Sequence, residues 1–303
     1  MRRTKTLAGI GLAATALLAL SACSSGTPSD PGGDTGTGTD TGSEDSTWFE
    51  VATDVSLEGS PTYDAMVERD QVIIGVKEDQ PGLGYLDVTS GERTGFDVDI
   101  ARWIAASLGF DEDKIEFKPI ASANREQSIV NGDIDYYVGT YSITDKRKEQ
   151  ISFAGPYFIT GQGLLVGTDS EITSEADLNA DTTVCSATGS TPIQNIRENY
   201  PEVPTKEFDL YSACVEALLS GEVQAVTTDQ AILIGYAAQD PTNLKVVGEP
   251  FTEERYGVGL AKDDTALLDY INTMFTDGGD IWQSIFDKNL GSSGIEVSQP
   301  AVD

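Results

Sequence analysis

IEFKPIASANREQSIVNGDIDYYV, residues 115–138, decides the architecture. Residues 115–119 predict a strand, 123–130 a helix and 134–138 a second strand, a strand, helix, strand rhythm. The same rhythm extends in both directions. Upstream, QVIIGV (71–76) is a continuous apolar run typical of a buried strand. Residues 97–108 follow as a helix with Ile100, Ile104 and Leu108 on one face and Gly109 at the C-cap. Downstream, strands are expected at 182–185, 205–208, 225–228 and 244–247, with helices at 190–200, 212–220 and 229–238 between them. The fold class is therefore α/β with largely parallel sheets, and two comparable series predict two lobes rather than one oversized sheet.

Two aromatic, glycine-containing stretches, FAGPYFITGQGLLV (153–166) and ERYGVGLA (254–261), suit a pair of strands that cross between the lobes. The last helices, 265–277 and 280–290, then return to the first lobe. On this reading lobe 1 comprises 66–158 and 256–290, and lobe 2 comprises 159–255. A ligand belongs between them, at the strand ends, where open α/β sheets bind small molecules.

The ends of the chain differ from its middle. Arg2, Arg3 and Lys5 precede an apolar run over 7–20 broken only by Gly and Thr. This predicts a secretory signal peptide over 1–22, since the run is too short to span a bilayer and small residues follow it. Leu20-Ser21-Ala22-Cys23 resembles the bacterial lipobox, which implies a lipid on Cys23; a free or disulfide-bonded cysteine is the alternative. Residues 24–47 hold no large apolar side chain and cannot offset their ordering entropy, so a flexible tether is drawn over 23–65. Within it Trp48, Phe49 and Val51 offer anchor points, and 48–66 is left without a role. Residues 291–303 read as a disordered tail.

With 50 acidic residues, 19 basic ones and a formal charge of −31, the chain lacks the basic face that nucleic acid requires. An anionic membrane surface is no better a partner for the folded part, which leaves anchoring to the lipid. The chain has no histidine, so Cys185 and Cys214 are expected to pair as a disulfide in an exported protein rather than to hold a metal; two buried free thiols are the alternative. There is no G-x-S-x-G, P-loop or metal-ligand cluster, and no cofactor is expected.

Six segments taken in order resemble the amino-acid-binding lipoproteins of ABC importers, with the glutamate-binding members of Gram-positive bacteria nearest. They are IGVKEDQPGLGY (74–85), GFDVDIA (95–101), SANREQSIVNGDIDYYVGTYSITDKRKEQISFAGPYF (122–158), CSATGSTP (185–192), YSACVEALLSGEVQAVTTDQAIL (211–233) and PFTEERYGVGLAKDD (250–264). The resemblance implies a two-lobed, type II periplasmic-binding-protein-like clamp with two crossover strands. It also implies a monomer that hands its ligand to a membrane permease.

The same resemblance supplies candidate ligand residues. Arg147, the middle cation of DKRK, matches the arginine that grips the α-carboxylate, and a planar guanidinium offers a bidentate fork that lysine lacks. Thr140 and Ser142 match positions that meet the ammonium with a carbonyl and a hydroxyl, although Ser142 is also a ready helix cap. Asp229 matches the carboxylate that pairs with the ammonium; helix N-termini favour aspartate in any case. Thr188, Gly189 and Ser190 offer backbone N–H groups at a helix start, or else a plain capped turn. Lys77 and Arg125 match basic residues that face an acidic side chain, with surface salt bridging as the alternative. The aromatic clamp of glutamine and basic-amino-acid binders has no clear match, since Asp79-Gln80-Pro81-Gly82 stands where it would begin. Glutamate is the expected ligand, with aspartate possible and glutamine or asparagine as the rival. A sensor lipoprotein, or a dehydratase-like enzyme using Glu78, Asp79 or Asp229, is a more distant reading.

Overall fold

The computed structural model of the protein describes residues 49–303. Cys23, the signal peptide and most of the expected tether lie outside the described residues. Among those described, no helix is long and apolar enough to cross a membrane.

The first lobe opens with α1 (Pro61–Arg69), capped by the Ser60 side chain, and β1 (Val72–Val76). A small antiparallel sheet follows, built from β2 (Asp79–Gln80), β3 (Gly84–Leu86) and β4 (Arg93–Thr94). Next come α2 (Phe96–Ser107), β5 (Ile115–Pro119), α3 (Arg125–Val130), β6 (Tyr136–Tyr137), the single turn α4 (Asp145–Lys148) and β7 (Ser152–Thr160). The second lobe holds β8 (Gln162–Gly167), β9 (Val184–Ala187), α5 (Thr191–Asn199), β10 (Thr205–Phe208), α6 (Tyr211–Leu219), β11 (Ala225–Asp229), α7 (Gln230–Gln239) and β12 (Leu244–Val247). β13 (Glu254–Leu260), α8 (Thr265–Asp277) and α9 (Gly279–Asn289) end the series.

The stretch 115–138 forms the expected β5-α3-β6 unit. β5 and β6 both run parallel to β1, one on each side of it, and β13 and β7 complete the sheet in the order β5-β1-β6-β13-β7. The second sheet has the order β10-β9-β11-β8-β12, with β9 parallel to both β10 and β11. In each sheet the strand that comes from the other lobe is antiparallel, as β13 is to β6 and β8 is to β11. β7 and β8 are separated only by Gly161. There the two crossing segments are tied, Gln162 N donating to Thr252 Oγ1 at 3.0 Å and Phe251 N to Gln162 O at 2.9 Å.

The closing helices pack into the first lobe through aromatic rings. Trp282 meets Phe96 edge-on at 5.7 Å between centroids and stacks on Phe286 at 5.3 Å, while Trp103 meets Phe275 at 5.7 Å. Each such buried ring contributes roughly 1.5–3 kcal/mol.

Both ends of the described chain depart from the sequence expectation. Phe49, Val55 and Leu57 pack against the core, and Tyr63 and Met66 are buried, so order begins well inside the span assigned to the tether. The tail is not disordered either. Ile295, Val297 and Val302 lie against the core, Gln299 donates to Phe275 O at 2.6 Å, and Asp303 N donates to Gly155 O at 3.0 Å beside an Arg255–Asp303 ion pair. The three aliphatic side chains are spaced among small and polar residues, and so few apolar positions carry no periodic signal.

Cys185 on β9 and Cys214 on α6 form a disulfide with Cα atoms 5.5 Å apart, both fully buried. It closes a separation of 29 residues, which in the chain-entropy picture stabilises the fold by about 3–4 kcal/mol. The Cys185→Ala/Cys214→Ala double variant is expected to lose stability of that order in urea unfolding; a loss below about 1 kcal/mol would show that packing alone holds β9 to α6.

Candidate functional site

Seven of the nine candidates sit at or a few residues past the C-terminal end of a strand, where a sheet edge leaves room between lobes, while Arg125 opens α3 and Arg147 lies in α4. Lys77 follows β1, Thr140 and Ser142 lie beyond β6, Gly189 and Ser190 follow β9, and Asp229 ends β11. A cavity of about 590 Å³ opens nearby, bordered by Ser122, Glu126, Arg147, Gly189, Ser190 and Thr191; Lys77, Arg125, Thr140, Ser142 and Asp229 do not border it.

Of the three cations in DKRK only Arg147 is buried, while Lys146 and Lys148 stay exposed on the short helix. Thr144, not Ser142, caps that helix, accepting from Arg147 N at 3.2 Å. The Arg147 guanidinium spreads over three acceptors: Nε to Glu126 Oε1 at 3.0 Å, Nη1 to Ser142 O at 2.7 Å and Nη2 to Gly189 O at 3.1 Å. The last belongs to the second lobe, so Arg147 bridges the cleft. Its pKa is lowered, first by burial and then by the neighbouring Arg125 charge.

Lys77 and Arg125 are 3% and 2% exposed, which rules out a surface role. They share Ser122: Lys77 Nζ donates to its hydroxyl at 2.7 Å, and Arg125 Nε donates to its carbonyl at 3.1 Å. Arg125 Nη1 reaches Thr140 O at 3.3 Å. Among the described residues neither side chain forms an ion pair with a carboxylate. The Tyr141 ring supplies π-density to both guanidiniums, 4.2 Å from Arg125 and 4.9 Å from Arg147. Burial, helped by Arg125, pulls the Lys77 ammonium down to about 7, against an opposing pull from Asp79. Two buried cations that no carboxylate contacts directly, with Asp79 and Glu126 acting on them only from a distance, create a place where a carboxylate is favoured.

Asp229 occupies the N-cap position of α7, yet its side chain makes no capping bond. Oδ2 accepts from the Tyr256 hydroxyl at 2.7 Å, while Oδ1 is buried without a donor, as is the neighbouring Thr228 hydroxyl. Burial first and Glu254 second push the Asp229 carboxyl well above its usual range, with Tyr256, Arg125 and Arg147 opposing. A buried carboxylate with a free oxygen is suited to a cation that arrives with its own donors.

Thr140 adopts a left-handed backbone, φ 47°, which is uncommon for a residue with a branched side chain. Asp97 holds it there, accepting from Thr140 N at 2.8 Å and from the Tyr157 hydroxyl at 2.8 Å. Burial raises the Asp97 carboxyl to about 6. Ser142 Oγ accepts from Thr191 Oγ1 at 3.3 Å, a second bond across the cleft.

In the second lobe Ser190 caps α5, accepting from Ile193 N at 3.3 Å, and its hydroxyl lies 3.1 Å from that of Ser186. Gly189 has φ 78°, and a Cβ there would fall 2.7 Å from Ala123 Cα, so only glycine allows the lobes to approach this closely. Thr188 is placed differently from the others: both its N–H and its hydroxyl go to Phe208 O, at 2.8 and 3.3 Å.

The sequence reading missed the residues that hold the candidates in place. Tyr141, Asp97, Tyr256, Glu126 and Gln80 all touch a candidate side chain or backbone. Gln80 accepts from the Thr140 hydroxyl at 3.1 Å and keeps a buried, unpartnered Nε2. Tyr141 sits inside YSITDKRK and Asp97 inside GFDVDIA, but a buried polar residue in an apolar element was the only signal, and it does not name a partner.

Comparison with known proteins bears on the fold and the family. Residues 72–288 match the bacterial extracellular solute-binding proteins, family 3. The chain is 42% identical over 256 residues to the glutamate-binding protein GluB of Corynebacterium efficiens, covering 80% of this chain and 86% of that one. It is also 42% identical over 211 residues to the ABC transporter glutamine-binding protein GlnH of Bacillus subtilis, covering 70% and 77%. Among solved structures, the cysteine-binding protein from Campylobacter jejuni superposes with a TM-score of 0.73 at 28% identity, covering 80% of this chain and 98% of that one. Fold and sequence thus converge, and the chain belongs to the bacterial extracellular solute-binding proteins of family 3.

Proposed function

We propose that this protein captures L-glutamate outside the cell and delivers it to the permease of an ABC importer, held at the membrane by a lipid on Cys23. It is an amino-acid solute-binding protein rather than an enzyme. The observation that carries the choice of ligand is the buried pair Lys77 and Arg125, which shares Ser122 and has no carboxylate partner among the described residues. A γ-carboxylate supplies that partner. Asp229, with its free Oδ1, takes the ammonium, and Arg147 takes the α-carboxylate. Thr140, Ser142, Gly189 and Ser190 complete the polar wall, while Thr188 acts through the turn it stabilises.

Capture begins in the open clamp, and closure brings Gly189 O onto Arg147 and Thr191 onto Ser142, which excludes water and strengthens every charge contact inside. The closed form is the one offered to the permease. Glutamine is the second reading, favoured by the 42% identity to a glutamine-binding relative. An uncharged amide would leave both Lys77 and Arg125 uncompensated.

Calorimetric titration of the purified protein, freed of endogenous amino acid by unfolding and refolding, is expected to show tight L-glutamate binding and glutamine binding weaker by at least about tenfold, or roughly 1.4 kcal/mol. Tighter glutamine binding would reverse the assignment. Arg147→Lys is expected to weaken every α-amino acid by about 100-fold or more, because the fork is lost; near-normal affinity would remove Arg147 from the site. Arg125→Gln is expected to weaken glutamate at least about tenfold more than glutamine, whereas equal losses would mean that Arg125 does not read the side chain.

A further inference from the structure

The first turn of α6 lacks a cap of its own. Leu210 occupies the N-cap position and makes no side-chain bond, which leaves the first amide groups of the helix in need of an acceptor. The acceptor comes from the other lobe. Asp79 on β2 places Oδ2 3.1 Å from Ser212 N, with a carboxylate charge where the helix dipole favours one. Tyr236 on α7 donates its hydroxyl to Asp79 O and lies 3.4 Å from Asp79 Oδ2. One residue earlier, a Cβ on Gly235 would fall 2.2 Å from Pro81 O, so the α7 backbone rests directly on the turn that follows β2. Asp79 and Tyr236 are 9% and 6% exposed. This two-residue strand, which pairs with β3 and through it adjoins α2, thereby engages two helices of the second lobe.

We propose that Asp79 is a positioning residue of the clamp. It is a helix cap lent across the cleft that forms when the lobes close, and so sets how long a captured amino acid is retained. The inference rests on the amino-acid-binding reading above but is separable from it. Asp79 also accounts for itself without catalysis, since its carboxylate is committed to the second lobe. Because the bond closes the lobes rather than reading the ligand, its loss acts on release of both amino acids alike; the Asp79 charge, which also pulls on Lys77, is removed equally in Asp79→Ala and Asp79→Asn, so the comparison of those two variants isolates the bond.

Stopped-flow measurement of L-glutamate and L-glutamine with the whole protein tests this. Asp79→Ala is expected to raise the dissociation rate of both amino acids by about tenfold, and by the same factor for both when measured against Asp79→Asn, with association changed less than about twofold, as removal of a cap and its neighbouring bond would produce. Asp79→Asn is expected to recover most of the loss, since asparagine also caps. A dissociation rate within twofold of wild type, a loss confined to one amino acid, or no rescue by asparagine would overturn the proposal. If Asp79→Ala does not fold, Tyr236→Phe carries the test, with about threefold faster release of both amino acids expected from one lost bond; unchanged release would overturn it. If the wild-type protein takes up neither amino acid, the amino-acid reading fails on its own. The latch is then read from small-angle scattering of the unliganded proteins: a larger radius of gyration for Asp79→Ala supports it, and an equal radius overturns it.

Discussion

Charge burial is the constraint on which the cleft depends. Lys77, Arg125 and Arg147 lie within a few ångströms of shared partners, all almost fully buried, in a chain whose surface is overwhelmingly acidic. Removing a cation from water is costly unless donors find acceptors and the charge finds an opposite. The protein meets the first demand with carbonyls at Ser122, Thr140, Ser142 and Gly189 and with the face of Tyr141. It meets the second only in part, through Glu126 on Arg147. The remainder is what the proposed glutamate side chain would supply, and the net charge of the chain, screened beyond about 8 Å at physiological salt, does not oppose it.

The parallel sheets make this arrangement possible. A strand that ends at the cleft brings the residues at or shortly after its end to the cleft while its own hydrogen bonds remain satisfied in the sheet. β1 does so with Lys77, β6 with Thr140 and Ser142, β9 with Gly189 and Ser190 and β11 with Asp229, and the sequence spacing between Lys77 and Asp229 becomes irrelevant. The crossing strands then hold two such rims face to face.

Much of this was legible in the sequence. The 115–138 stretch reads as strand, helix and strand because its apolar positions are short, dense and interrupted by Asn131-Gly132, and the structure follows with shifts of one or two residues at the ends. Arg147 stood out because it lies in a cationic triplet within an acidic chain. What the sequence hid was pairing. Thr144 rather than Ser142 caps the short helix, and Thr188 turns to Phe208; both outcomes depend on backbone direction, which periodicity does not encode. Asp97 supports Thr140 from 43 residues away. Asp79 serves a helix more than 130 residues further on. Such contacts follow from topology, and no local pattern announces them. The tail escaped notice for a different reason, because its three aliphatic contacts are set among Gly, Ser and Pro.

The buried cystine between β9 and α6 carries a meaning beyond static stability. In bacteria such a bond persists outside the cytosol, where the reducing thiol pool does not reach. Members of an extracellular family are made in one redox environment and work in another. Where thiols are kept reduced, the second lobe relies on packing alone to hold β9 to α6. Oxidation then completes the lobe with a covalent tie inside its core.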